Sequence, residues 1–153
     1  MSSIRGILQV KGTDIWAIQP DKTVFDALRI MADKDVGALL VMEDEKLLGI
    51  LSERDYARKI ILLGKASVDT PVKEIMTEEV FTVHPEQTIY ECLEIMVDNH
   101  FRHLPVVQEG KVIGVISIGD VVNAIIHRQQ KSIRELENQL TQKEPEDVRL
   151  LRD

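Results

Sequence analysis

Two short stretches of the chain carry side chains that could hold a sugar or a phosphate. Gly49-x-x-Ser52-x-x-Asp55 and Gly114-x-x-Ser117-x-x-Asp120 repeat one spacing of glycine, hydroxyl and carboxylate. Glycine lets another group come close to the backbone, a serine hydroxyl can bond a ribose or phosphate oxygen, and an aspartate can accept both hydroxyls of a ribose diol. The same spacing also describes a helix start, with Ser as N-cap and Asp facing the free N–H groups of the first turn. Spacing alone leaves both readings open. His100 and His103 stand three apart, but across a predicted helix-to-strand junction and without a Cys or carboxylate completing a set, so no metal centre is expected. His84 and His127 read as surface residues. Cys92 is the one cysteine and reads as a small buried residue on a helix. There is no nucleophile with its base, no metal set and no Walker loop, so no enzyme and no catalytic residue is expected.

The elements that position these corners are given by an internal repeat. Ile18–Met31 aligns with Val83–Met96 without a gap, and the register continues through Leu39/Leu104, Val41/Val106, Lys46/Lys111, Gly49/Gly114, Ser52/Ser117, Asp55/Asp120 and Ile60-Ile61/Ile125-Ile126. About fourteen identities fall in roughly forty positions, several times the number composition alone would produce. In each repeat Pro-x-x-Thr (Pro20/Thr23, Pro85/Thr88) supplies a turn and an N-cap. Val24, Leu28, Met31 and Ile89, Leu93, Met96 then mark one helical face. Apolar runs at Ala38–Met42 and Leu104–Val107 predict buried strands, followed across polar turns by strands at Leu47–Leu51 and Val112–Ile116. The predicted fold is α+β: two pseudo-symmetric strand-helix-strand-strand-helix repeats packed sheet to sheet. The expected boundaries are 10–63 for the first repeat, 64–72 for a linker, 73–127 for the second repeat, 128–141 for an amphipathic helical extension and 142–153 for a loose tail. The extension is expected to pack on its own domain or on another subunit. Trp16 and Phe81, nearly aligned at the repeat starts, are expected in the core, with adenine stacking as the alternative.

Composition bounds the rest. With 153 residues, 44% hydrophobic and 29% charged, the chain has material for one body and none of the marks of disorder. Net charge −7 disfavours nucleic acid. No apolar run approaches a bilayer span and the start lacks a signal-peptide core, so a cytoplasmic protein without a membrane partner is expected.

The pair resembles the tandem cystathionine beta-synthase (CBS) domains that form a Bateman module, over roughly residues 10–127. The marks are the two Pro-x-x-Thr steps, the strand Arg102-His103-Leu104-Pro105-Val106-Val107 and the duplicated corners; Ser52–Lys59 is most like stand-alone bacterial and organellar pairs. The resemblance implies a non-enzymatic regulatory module for energy sensing and signal transduction. It would bind AMP, ADP, ATP, NAD(H) or S-adenosylmethionine in clefts between the repeats and hold no catalytic cofactor. It would signal, as a homodimer, to a separate regulated protein. A constitutive scaffold with vestigial clefts is the alternative. By the same resemblance one cleft, expected to be tighter for phosphorylated nucleosides, uses Thr13, Ile15, Arg102, His103, Leu104, Pro105, Ser117 and Asp120. The second uses Thr77, Val80, Gly37, Ala38, Leu39, Ser52, Arg54 and Asp55. Arg102 is expected at the phosphate, with Arg54 as a partial substitute in the second cleft.

Overall fold

The computed structural model describes the backbone of residues 3–152, and side chains through residue 142. The first repeat runs β1 (Ala17–Ile18), α2 (Val24–Lys34), β2 (Ala38–Glu43), β3 (Lys46–Ser52) and α3 (Glu53–Tyr56), which passes into a π-helical stretch, Ala57–Ile61. The second runs α4 (Ile89–Asn99), β4 (His103–Gln108), β5 (Lys111–Ser117) and α5 (Ile118–Arg152). Ahead of both stands a helix the sequence pattern did not reveal, α1 (Ile4–Lys11). The predicted α+β pair is what forms: each repeat builds its own small sheet, β1-β2-β3 and β4-β5.

Local chemistry sets the elements as the repeat implies. Thr23 Oγ1 accepts from the Asp26 amide at 3.1 Å and Thr88 Oγ1 from the Glu91 amide at 3.0 Å, capping α2 and α4. Both helices end on a non-glycine residue in the left-handed region, Asp35 (φ 54°) and His100 (φ 58°). β2–β3 and β4–β5 are antiparallel hairpins closed by two-residue turns, Asp44-Glu45 and Glu109-Gly110, all four at positive φ. One predicted strand differs between the repeats. Leu40 N–H donates to Trp16 O at 3.1 Å and helps extend β1, but its counterpart 65 residues on is Pro105, which has no N–H to give. The second repeat's first strand therefore shrinks to a single bridge, Val83↔Val106.

Two cores form, and each is completed by the segment that leads into the other repeat. Val24, Ala27, Met31, Leu39, Val41 and Leu51 pack with Val72 and Ile75; Cys92, Met96, Leu104, Val106 and Ile116 pack with Ile4 and Leu8 of α1. Ile4 is fully buried, so α1 belongs to the second repeat's core although it precedes the first. The expected linker 64–72 is likewise tied down at its end. Thr70 and Val72 are buried, Thr70 O accepts from Val24 N–H at 2.9 Å, and Val72 N–H donates to Lys22 O at 2.8 Å. Cys92 is buried on α4, and burial pushes its thiol up to about 11.

The expected change of element at 127/128 does not occur, since α5 is one helix through it. Backbone helix also continues to Arg152, where a loose tail from 142 is predicted. No glycine follows Gly119, and Gln, Glu, Lys, Arg and Leu, all good helix formers, dominate the segment. The tail's side chains from 143 lie outside the described residues. From Ile126 to Gln142 every residue of α5 is exposed, Ile133, Leu136 and Leu140 among them. Among the described residues no helix is long and apolar enough to cross a membrane.

Candidate functional site

Two cavities of about 400 and 380 Å³ lie between the repeats. Gly37, Ile50 and His103 line both, so the two are neighbours across a thin wall. Their composition follows from two sets of hydrogen bonds made by the lead-in segments. Each lead-in segment runs beside the central strand of its own repeat, through Leu40 N–H to Trp16 O in one and Val83 N–H to Pro105 O (3.0 Å) in the other. On its other side it meets the corner of the opposite repeat: Thr77 and Ile50 exchange both backbone bonds, at 2.8 and 3.0 Å, and Lys11 Nζ donates to Val115 O at 2.7 Å. A cleft must therefore contain one repeat's lead-in, that same repeat's helix-to-strand junction, and the other repeat's Ser-x-x-Asp corner.

This groups the predicted residues differently from the resemblance. The 400 Å³ cleft joins Ser52, Arg54, Asp55, Thr77 and Val80, as expected, with Arg102 and Leu104, which were assigned to the other. The 380 Å³ cleft joins Ser117 and Asp120 with Ala38 and Leu39, also transposed. Gly37 and His103 belong to both. Thr13, Ile15 and Pro105 line neither: Asp14 and Trp16 face the cavity in place of Thr13 and Ile15, and Pro105 is buried in β4. The ground for ranking the Asp120 cleft as the better phosphate binder is thereby reversed, because Arg102 joins Arg54 beside Asp55.

Both corners are reciprocal capping boxes and also line the cavities. Asp55 Oδ2 accepts from Ser52 N–H (3.0 Å) and Ser52 Oγ–H (3.1 Å), while Ser52 Oγ accepts from the Asp55 amide. Asp55 Oδ1 accepts from Thr77 Oγ1–H at 3.1 Å and is 3.2 Å from Lys59 Nζ. Asp120 Oδ2 accepts from Ser117 N–H at 2.8 Å and from Lys11 Nζ at 2.6 Å. Burial pushes the Asp120 carboxyl up, but the Lys11 and Ser117 hydrogen bonds and the Lys11 charge outweigh it and hold the group below the usual carboxylate range. His103 is held below its usual value, first by burial and then by Lys11, with Arg102 adding a little and Asp120 opposing. The repeated glycines serve the protein's own chain rather than a ligand: a Cβ on Gly49 would stand 2.8 Å from Thr77 O, and one on Gly114 2.7 Å from Leu8 Cδ2.

Several lining residues escaped the sequence reading. Trp16 and Phe81 are not core residues; they are 37% and 44% exposed and face the two cavities, Phe81 against Phe101 with ring centroids 5.2 Å apart. Lys34 Nζ covers the Trp16 ring at 4.5 Å. Lys11 and Arg58 belong to no duplicated motif, so the repeat does not single them out. The available signal was the departure from the repeat at Lys11-Gly12, whose counterparts are Met76-Thr77. Among the described residues no group of three or more His, Cys, Asp or Glu side chains is disposed to hold a metal.

Comparison with known proteins agrees with this architecture. The family model described as CBS domain matches residues 9–62 and 72–127. The CBS domain-containing protein CBSX3, mitochondrial, of Arabidopsis thaliana is 43% identical over 130 residues, covering 82% of this chain. The chain spans 63% of that relative's length. YhcV of Bacillus subtilis, also a CBS domain-containing protein, is 29% identical over 79% of this chain and 84% of its own. Among solved structures, the CBS domain NE2398 superposes with a TM-score of 0.79 at 50% identity, covering 82% of this chain and 99% of that one. ATU1752 of Agrobacterium tumefaciens, a CBS-domain containing protein, gives 0.77 at 35% identity, over 80% and 98%. Duplicated corners, swapped lead-in segments and these matches lead to one conclusion: the chain belongs to the CBS domain family and is a tandem CBS pair.

Proposed function

We propose that the chain is a regulatory module that binds adenosyl ligands in the two clefts and transmits their occupancy to a partner. The observation that carries the reading is the pair of cavities, each with a Ser-x-x-Asp corner on one wall and an exposed aromatic ring on another. Volumes near 400 Å³ fall in the range of small-molecule sites, where apolar walls hold a base and a few polar groups fix orientation. AMP, ADP, ATP, NAD and S-adenosylmethionine are the candidate ligands. The proposal assigns no catalytic step. Signalling would act through the lead-in segments. They form walls of the clefts and also complete the cores, so a ligand favouring one placement of Lys11–Trp16 or Thr77–Phe81 shifts the packing of both repeats. A second copy is the proposed first listener, through the exposed apolar stripe Val122, Ile126, Ile133, Leu136 and Leu140 of α5.

A thermal-shift panel with these ligands and guanine nucleotides, on protein stripped of bound nucleotide, tests the reading. A ligand that binds only the native state raises Tm, by mass action equivalent to about 2.7 kcal/mol at a hundredfold excess over Kd. Stabilisation by adenine compounds and not guanine is expected. A flat panel overturns the proposal and leaves the constitutive scaffold.

A further inference from the structure

The two clefts carry the same corner but different charge. Arg54, Arg58 and Arg102 line the Asp55 cleft together with Glu53, Asp55 and Glu79, and among the described residues none of the three arginines is within 4.0 Å of a carboxylate. The Asp120 cleft is lined by one lysine, Lys11, already bonded to Asp120 and Val115 O, together with Asp14 and Asp35. The carboxylates differ in the opposite sense. Both oxygens of Asp55 are occupied, Oδ2 by Ser52 and Oδ1 by Thr77 and Lys59, and its side chain is 12% exposed. Asp120 uses only Oδ2; among the described residues no donor reaches Oδ1, and its side chain is 22% exposed. The residue that makes the difference is the one matching Thr77: 65 positions earlier it is Gly12, which has no hydroxyl to offer Asp120.

We infer that the clefts sort ligands by charge: the Asp55 cleft takes an oligophosphate group, and the Asp120 cleft takes a nucleoside of neutral or positive charge, gripped through its ribose diol by Asp120 Oδ1. Guanidinium groups present fixed forks of donors that match phosphate oxygens, and unpaired ones lose no existing partner on binding. A carboxylate with a free oxygen can accept a diol, whereas Asp14, Asp35 and Asp120, offset by Lys11 alone, repel added negative charge; in the Asp55 cleft three arginines stand against three carboxylates. The nucleoside half of this inference rests on the adenosyl reading above; the phosphate half does not.

Isothermal titration of the full chain with three probes separates them: inorganic tripolyphosphate, ATP and adenosine. The variants are Arg58→Met with Arg102→Met, both at accessible positions, and Asp120→Asn, which keeps an acceptor oxygen for the Ser117 amide; circular dichroism checks that each folds. The arginine variant is expected to weaken tripolyphosphate and ATP at least tenfold and leave adenosine unchanged. Asp120→Asn is expected to weaken adenosine at least tenfold and leave tripolyphosphate unchanged. Adenosine and ATP binding with no dependence on the arginines overturns the sorting while the adenosyl reading stands. Arginine-dependent tripolyphosphate binding with no response to adenosine or ATP overturns the adenosyl reading and the nucleoside half with it. Loss of tripolyphosphate binding on Asp120→Asn alone overturns the whole assignment.

Discussion

The two repeats reach one corner from the same residues and finish it with different ones. At Asp55 the opposite repeat's lead-in brings Thr77, whose hydroxyl closes the carboxylate; at Asp120 it brings Lys11-Gly12, and an ammonium takes one oxygen while the other stays open. Gly49 accommodates a backbone oxygen and Gly114 the end of a leucine side chain. Leu40 extends a strand that Pro105 cuts short. Duplication thus supplies the frame, and the residues that break it, in the lead-in segments, beside the corners and at the helix-to-strand junctions, give each cleft its own chemistry.

The comparison can be broken most strongly at the segments exchanged between the repeats. Ile4→Ala removes a fully buried side chain that fastens α1 to the second core, and should cost about 2 to 5 kcal/mol in chemical denaturation. A cost near zero would mean that α1 is not part of that core. Next come the glycines. Gly49→Ala meets backbone at Thr77 and should cost about 1 to 3 kcal/mol, whereas the Leu8 side chain can turn aside for Gly114→Ala, so that variant should lose less. Equal losses would contradict the difference drawn between the two approaches. Asp55→Ala, which strands Ser52 and Thr77 together, should destabilise by about 1 kcal/mol more than Asp120→Ala; the denaturation midpoints of the two variants check it.

The smallest expected effect is in pH. His103 is lowered in the folded chain, so the unfolded chain binds its proton first and stability falls as pH drops below about 6.5 toward the folded value. His103→Gln should flatten that part of a Tm-against-pH curve. Asp120 is also lowered, so its contribution is present above its ordinary value and disappears only as pH falls below about 4. A parent and His103→Gln with parallel curves from pH 7 to 5 would contradict the burial assigned to His103.

What was legible in the sequence was whatever repeats. The register of 65 residues gives both helix caps, both hairpins and both corners, because local chemistry such as Thr23 and Thr88 at helix starts acts alike in each copy. The first repeat's short β1 and the second's single bridge show where one proline overrides the pattern. The grouping of the clefts was not legible, since it depends on which strand each lead-in pairs with across the molecule, and spacing along the chain carries no trace of that. The transposition of Arg102 and Leu104 with Ala38 and Leu39 follows from this. Large aromatic residues usually fill a core, but Trp16 and Phe81 stand at the cavity rims, Trp16 just ahead of β1 and Phe81 just ahead of the Val83 bridge, where the expectation's alternative would have them. Helix α1 was missed because its apolar residues meet the distant second core and match nothing in the repeat.

The central claim, that the clefts between the repeats are adenosyl sites, is tested most directly by a crystal structure of stripped protein soaked with ATP. The account predicts density for adenine and ribose within a cleft, and for phosphates beside Arg54, Arg58 and Arg102. ATP bound elsewhere on the chain, or clefts left without nucleotide at saturating concentration, would contradict it.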